Sequence, residues 1–248
     1  MTERKKLPHA PILEALIDLR VEPRPDLEPQ DLKALHEVLG TDAFPEATKQ
    51  SAFTAAVQFE EDSPPVSVSA KDVGYLFRGA DQPHAVQAQR EGFAFSQLPP
   101  YVDWEELATQ AKLRWGQYLK AARPKRVTRM AVRYINRIEL PLPLVDFREW
   151  IPKFPDIPAP LPQAIAEMVL RMVVPVPSKE ATAIVTLALE PWSEGKTHAG
   201  VIFDIDVFRV ASVPTEGDDV WNALESLREI KNDFFFEYLT PKTLELFQ

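Results

Sequence analysis

Two long stretches of the chain alternate apolar and polar residues, the pattern of a strand that buries one face. The first stretch is 12–22, with sequence ILEALIDLRVE, and the second runs from Arg126 to Leu140. The apolar parity of the first stretch carries Leu13, Ala15, Ile17, Leu19 and Val21. In the second stretch it carries Met130, Val132, Tyr134, Ile138 and Leu140. Both stretches are predicted to be half-buried strands.

In two segments of the chain, apolar residues recur at helical spacing after an acidic residue that can cap a helix. After Asp103, apolar residues recur at intervals of 4, 4, 3 and 4, at Leu107, Ala111, Trp115, Tyr118 and Ala122. This spacing predicts an amphipathic helix with Asp103 as its N-cap. A second long helix is predicted to open at Asp218 and Asp219, with its apolar stripe at Leu224, Leu227, Ile230 or Lys231, Phe234 and Tyr238. A shorter amphipathic helix is predicted over 30–39 and ends before Gly40.

The remaining elements complete a repeated order. Further strands are predicted over 51–60, 73–78, 85–98 (with a turn near Gly92), 165–174, 181–189 and 200–211. The proline-rich segment 141–162 holds at most one helical turn, around 146–150. Each half then reads β-(α)-β-β-β-α, which predicts an α+β protein with mostly antiparallel sheets and a long helix packed on each. The predicted halves are 1–124 and 125–248, joined in one compact unit, and either a duplication or a chance match would give this order.

Composition narrows the classes of function. The 248 residues include no cysteine, which excludes disulfides, cysteine-ligated metals and a thiol nucleophile. The formal charge of −9 argues against nucleic acid as a partner. Neither a signal-peptide core nor an apolar run of membrane-spanning length is present, so a cytoplasmic protein that does not insert into membranes is expected.

Basic residues cluster around the central predicted strand. Arg129, Arg133 and Arg137 share one of its faces at steps of about 13 Å, and Tyr134 is nearby on the opposite parity. Arginines on a strand can hold phosphates or carboxylates bidentately, so these four residues are the candidate anion or ligand site. The alternative is that the arginines pair across the sheet with acidic strand residues. Those candidate partners are Glu14, Asp18, Glu167, Asp204 and Asp206.

Acidic residues on the last predicted strand offer a weaker possibility. Asp204 and Asp206 share a face, and carboxylates on neighbouring strands can hold Mg²⁺ or Mn²⁺ for phosphoryl chemistry. No phosphate-binding glycine loop, nucleophile elbow or histidine pair accompanies them. We therefore expect no cofactor and no catalytic residue, with a metal-dependent phosphoesterase or nuclease as the least favoured reading.

Three consecutive aromatic residues stand on the final predicted helix. Phe234, Phe235 and Phe236 point about 100° apart, so they cannot all enter one buried stripe. Either the helix lies between the core and another surface, or one of these residues contacts a protein partner or a second copy of the chain.

Three segments of the sequence resemble one bacterial family. They are HAPILEALIDLRV near the start, VTRMAVRYINRIELP in the middle and FFFEYLTPKTLELF at the end, and RYINRI at 133–138 is the most specific piece. This family is sporadically distributed and functionally uncharacterised, so the resemblance carries over no site residue. A patchy distribution implies an accessory gene module. The expected function is a non-catalytic binding or regulatory protein that engages a protein partner, and the alternative is a carrier for a small anionic ligand.

Overall fold

Nine strands form one antiparallel sheet in the described part of the chain. The computed structural model describes residues 7–57, 66–80, 83–153, 155, 157–158, 160–191 and 195–248. The strands are β1 (Ile12–Glu22), β2 (Glu46–Val57), β3 (Val66–Arg78), β4 (His84–Gln89), β5 (Gly92–Gln97), β6 (Arg126–Pro141), β7 (Met168–Val176), β8 (Ala181–Leu189) and β9 (His198–Val213). Their order across the sheet is β2-β3-β4-β5-β1-β6-β9-β8-β7.

Two long helices and several short ones complete the fold. The long helices are α2 (Trp104–Ala122) and α3 (Asp219–Tyr238), and the short ones are α1 (Leu35–Leu39) and α4 (Pro241–Glu245). Single 3₁₀ segments occupy Pro29–Ala34, Phe147–Glu149 and Pro177–Lys179. Asp103 caps α2 as predicted, because its carboxylate accepts the Glu106 backbone N–H at 3.0 Å. No helix among the described residues has the length and apolar character needed to cross a membrane.

Each long helix packs on strands of its own half. Helix α2 lies on β5 and β1, and α3 lies on β9, β6 and β8. The five residues of the predicted α2 stripe are all buried. On α3 the buried stripe passes through Phe235, whose ring stacks on Phe203 of β9 at 6.0 Å between centroids. The predicted α+β class, the antiparallel pairing and this helix placement are confirmed.

The arrangement of the strands differs from the prediction in two ways. The strands form one continuous sheet, because β1 pairs antiparallel along its whole length with the Arg126–Asn136 part of β6. Residues 85–98, counted as one strand in the predicted order, form two strands, since the chain reverses at Arg90–Glu91, next to the predicted turn near Gly92. The first half therefore contributes five strands and the second half four. Of the strand predicted over 51–60, residues 58–60 lie outside the described residues.

The helix-bearing face of the sheet holds the core. Ile17 and Leu19 of β1, Val132 of β6 and Phe203 of β9 are each fully buried there. Side chains of the opposite parity on β6, β9, β8 and β7 are mostly half-buried or exposed. We call this second surface the open face, and it is the face that carries the three arginines.

We predict that Phe203→Ala lowers the free energy of unfolding by about 3–5 kcal/mol, because it removes a buried ring from between β9 and α3. Urea denaturation will measure the change. The matched control is Leu113→Ala on α2, where the side chain is 54% exposed, and its expected effect stays within about 0.5 kcal/mol. A Phe203→Ala loss no larger than that of the control would contradict this packing.

Candidate functional site

The three arginines of β6 form a ladder of ion pairs across the open face. Because β6 lies between β1 and β9, carboxylates on both neighbours can reach its guanidinium groups. Arg129 donates to Asp18 of β1 at 2.9 Å and to Asp206 of β9 at 3.1 Å. Arg133 holds Asp204 bidentately, with N···O distances of 2.9 and 2.7 Å. The predicted alternative of cross-strand pairing is therefore present in the structure.

The third arginine of the ladder, Arg137, lies near the end of the sheet. Arg137 holds Glu190 bidentately at 2.8 and 2.9 Å and also donates to Glu139. Gly200 of β9 lies beside Glu190, and a Cβ atom at this position would collide with the Glu190 carboxylate. The absence of a side chain at Gly200 thus makes room for the Arg137–Glu190 pair. The expectation that Arg133 and Arg137 are paired is confirmed.

Burial and charge act together on the titration of these groups. The Asp204 carboxylate, through its hydrogen bonds, raises the pKa of Arg133, and Glu190 raises the pKa of Arg137 in the same way. Arg137 in turn lowers the pKa of Glu190. Asp206 behaves differently, since burial raises its pKa despite the nearby Arg129 and Arg133. Pairing therefore favours the charged forms of Arg133, Arg137 and Glu190, whereas burial disfavours the charged form of Asp206.

The charge balance of the ladder does not favour a free anion. Among the described residues, five carboxylates pair with the three guanidinium groups, namely Asp18 (which also pairs with Arg20), Glu139, Glu190, Asp204 and Asp206. An incoming phosphate or carboxylate would have to displace one of them and would meet the repulsion of the rest. A role for the arginines in binding an anionic ligand stays a prediction, and the geometry weighs against it.

Tyr134 is separated from the arginines. Its side chain points to the helix-bearing face, where it is 2% exposed and its hydroxyl lies 2.9 Å from that of Tyr101. The Lys231 ammonium sits over the Tyr134 ring at 3.8 Å from the centroid. Burial raises the pKa of Tyr101 to about 12 and that of Tyr134 well above its ordinary value. Tyr134 therefore belongs to the core between the two helices.

A polar cluster beside Tyr134 links the start of α2 to the middle of α3. The Trp104 indole donates a hydrogen bond to Glu225, which also pairs with Arg228 at 2.5 Å. The Arg228 guanidinium lies over the Trp104 ring at 5.6 Å from its centroid. These contacts join the two helices directly, and the sequence pattern did not indicate them.

The three predicted partner-contact phenylalanines pack against the protein itself. Phe235 is buried, and Phe234 and Phe236 are partly buried against the same core. The Phe235 and Phe236 rings meet edge to face at 5.3 Å. Contact with a partner at these residues stays a prediction, but none of the three is an exposed aromatic anchor.

The acidic residues predicted on β9 contact arginines and do not form a metal site. Asp204 and Asp206, the weak metal alternative, pair with Arg133 and Arg129. Within the described ranges, no three histidine, aspartate or glutamate side chains converge in a way that could hold a metal ion.

A cleft at the Arg137 end of the ladder was not indicated by the sequence. It has a volume of about 540 Å³ and is lined by His9, Arg137, Glu139 and His198, with Leu246 and Phe247 from the end of the chain. These residues are far apart along the sequence, so no local spacing could reveal them. A second cleft of about 260 Å³ lies between the 142–147 loop and the β8–β9 connection.

Neither a protein-family model nor a curated protein matches the chain. Membership of the sporadically distributed bacterial family stays a prediction.

Apolar side chains fill the open face on the side of the ladder that leads to β7. Phe208 packs under Arg129, with the guanidinium carbon 4.4 Å from the ring centroid. Beyond it, the open-face positions of β9, β8 and β7 are largely apolar. They include Ile202, Phe208, Ile184, Ala188, Val169 and Val173. We call this set the apolar flank.

We predict that Arg129→Met lowers the free energy of unfolding by about 1–3 kcal/mol at neutral pH, because the half-buried Asp206 loses its ion-pair partner and Asp18 keeps only Arg20. The folded-state pKa of Asp206 is already above its ordinary value, so its protonation favours the folded state. Losing Arg129 raises this pKa further. The deficit of the variant should therefore shrink as the pH falls from neutral to about pH 4.

Urea denaturation at the two pH values will measure this effect. The matched control is Arg171→Met, an exposed arginine on the same face, for which a change within about 0.5 kcal/mol is expected. An Arg129→Met deficit that grows on acidification would contradict the raised pKa of Asp206 in the folded state.

Proposed function

We propose that this chain is a non-catalytic binding protein that presents the open face of its sheet to a protein partner. The observation that carries the proposal is the combination of a self-paired ladder with the apolar flank beside it. Arg133 and Asp204, for example, satisfy each other at 2.7 Å, so neither depends on a ligand. A protein interface has an apolar centre and a polar rim, and the apolar flank with the ladder along its side can supply these two parts.

The charge of the surface restricts the kind of partner. The ladder has five carboxylates for three guanidinium groups and the apolar flank is uncharged, so this surface is slightly acidic within a chain of formal charge −9. An acidic protein would be repelled at long range, and a polyanion would find no field that attracts it. The proposed partner is therefore a neutral or basic protein with an apolar contact surface.

The other two functions are less well supported by this geometry. A carrier for a small anion could use the 540 Å³ cleft, but Arg137 at its wall is already held by Glu139 and Glu190. A phosphoesterase would need carboxylates converging on a cation, and Asp204 and Asp206 instead face arginines. The protein-binding function needs neither arrangement.

We also propose that the two halves derive from one repeated unit. In each half the first strand pairs with the last, β1 with β5 and β6 with β9. The other strands follow outward in reverse chain order, and a long helix follows the last strand. Strand β2 is an addition to the first half, since the second half has four strands among the described residues.

We predict that Ile184→Glu and Thr182→Arg, both on the open face of β8, each weaken partner binding by ~10-fold or more. The tagged full chain would be used to isolate a stoichiometric partner, which would then be purified and titrated calorimetrically against wild type and variants. Leu113→Glu, on the exposed side of α2, is the control and should bind as wild type does.

Thermal melting of each variant will show whether it is folded. Unchanged affinity in both face variants would place the partner elsewhere and refute the open face as the docking surface. A wild-type chain that binds no protein under these conditions would refute the proposed function itself.

We predict no Mg²⁺- or Mn²⁺-dependent hydrolysis of nucleic acids or phosphate esters, because the candidate carboxylates are engaged by Arg133 and Arg129. The assay uses single- and double-stranded substrates with each metal. Turnover that disappears in Asp204→Ala and Asp206→Ala would overturn this expectation and identify an enzyme.

A further inference from the structure

Strand β7 is an open edge of the sheet. It pairs with β8 over nine residues on one side, and no described strand pairs with its other side. Its sequence, MVLRMVVPV, contains one charged residue, Arg171. Nine residues span about 30 Å, a length at which unpaired N–H and C=O groups form a ready template for another strand.

The opposite edge of the sheet is protected by charge. On β2, Lys49 pairs with Asp72 of β3 at 2.6 Å, and Glu46 lies 3.8 Å from Arg78. Charged side chains along an edge are a common defence against strand addition. Strand β7 has no comparable defence, and its only proline, Pro175, stands one residue from its end.

The side chains of β7 are also unusually exposed for their type. On the open face, Val169 is 68% exposed and Val173 is 54% exposed. On the helix-bearing face, Leu170, Met172 and Val174 are only partly buried against the core. A strand added to this edge would cover apolar side chains on both faces of the sheet.

We propose that β7 pairs antiparallel with β7 of a second copy of this chain, which joins the two sheets into one. This inference rests on the sheet edge and does not depend on the protein partner proposed for the open face. A two-fold axis through Met172 matches all nine residues of each strand. Each Arg171 then faces a Val173, so the two like charges are not opposite each other.

The position of Pro175 fits the same register. A proline is tolerated in an edge strand when the missing N–H would point away from the sheet. Val169, Arg171 and Val173 share the parity of Pro175, so their N–H groups point outward as well. In the proposed register, the backbones of Arg171 in one chain and Val173 in the other exchange two N–H···O=C hydrogen bonds. The Pro175 carbonyl accepts one further hydrogen bond, from the Val169 N–H of the other chain. A two-fold axis through Arg171 would instead place the two arginines opposite each other.

The first test is the oligomeric state of the full chain by sedimentation velocity over a range of micromolar concentrations. Wild type is expected to sediment as a dimer, and the double variant Val169→Lys/Val173→Lys as a monomer. The matched control is Val210→Lys, since Val210 is 72% exposed but lies on β9 and not on β7. This control is expected to remain dimeric.

The second test uses the lack of native cysteine. In Met172→Cys the two new thiols lie on the proposed axis, where Cα atoms of facing residues are about 4.5–5.5 Å apart, within reach of a disulfide. Mild oxidation should give a covalent dimer, and Val210→Cys should give none. A monomeric wild type, a dimer that survives the double lysine variant, or equal cross-linking of both cysteine variants would overturn the proposal.

Discussion

The antiparallel pairing of β1 with β6 is the contact on which the rest of the structure depends. In the strand order it is the point where the strands of the first half meet those of the second. On the helix-bearing face it sets Ile17 beside Val132 under the two long helices. On the open face it brings Asp18 within 2.9 Å of Arg129. Without the pairing of β1 with β6, these two strands would become open edges without hydrogen bonds and the core would be divided.

The position of β6 explains why its arginines bind within the chain. A central strand has a neighbour on each side, so a long side chain on it meets cross-strand residues before it meets solvent. Arg129 reaches both neighbours, β1 and β9, whereas Arg133 finds its carboxylate on β9 alone. A slip of one residue would turn these arginines into the core, so the ladder also opposes any change of register.

The sequence predicted most of the secondary structure and less of the site. Strands β1 and β8 have the predicted bounds, because an alternating pattern with one buried face is unambiguous. The turn between β4 and β5 was harder to place as a strand boundary, since every residue of β5 is buried and alternation is lost. The parity of β6 predicted that its arginines share a face, but which carboxylate each one holds depends on the register between strands. The cleft beside Arg137 gathers residues from both ends of the chain, so no local pattern could predict it.

A catalytic group must be able to bind substrate or exchange a proton, and the charged groups of the ladder are already committed to one another. A binding surface has the opposite requirement, because polar groups that are paired internally lose less than unpaired ones when a partner displaces water. The open face meets this requirement.

The β7 edge lies at the side of the open face and not on it. A second copy paired at β7 would therefore leave the ladder uncovered, and the open faces of the two copies would form one continuous surface. A partner long enough to cross that junction would contact two equivalent surfaces at once, and its overall affinity would exceed that for either copy alone.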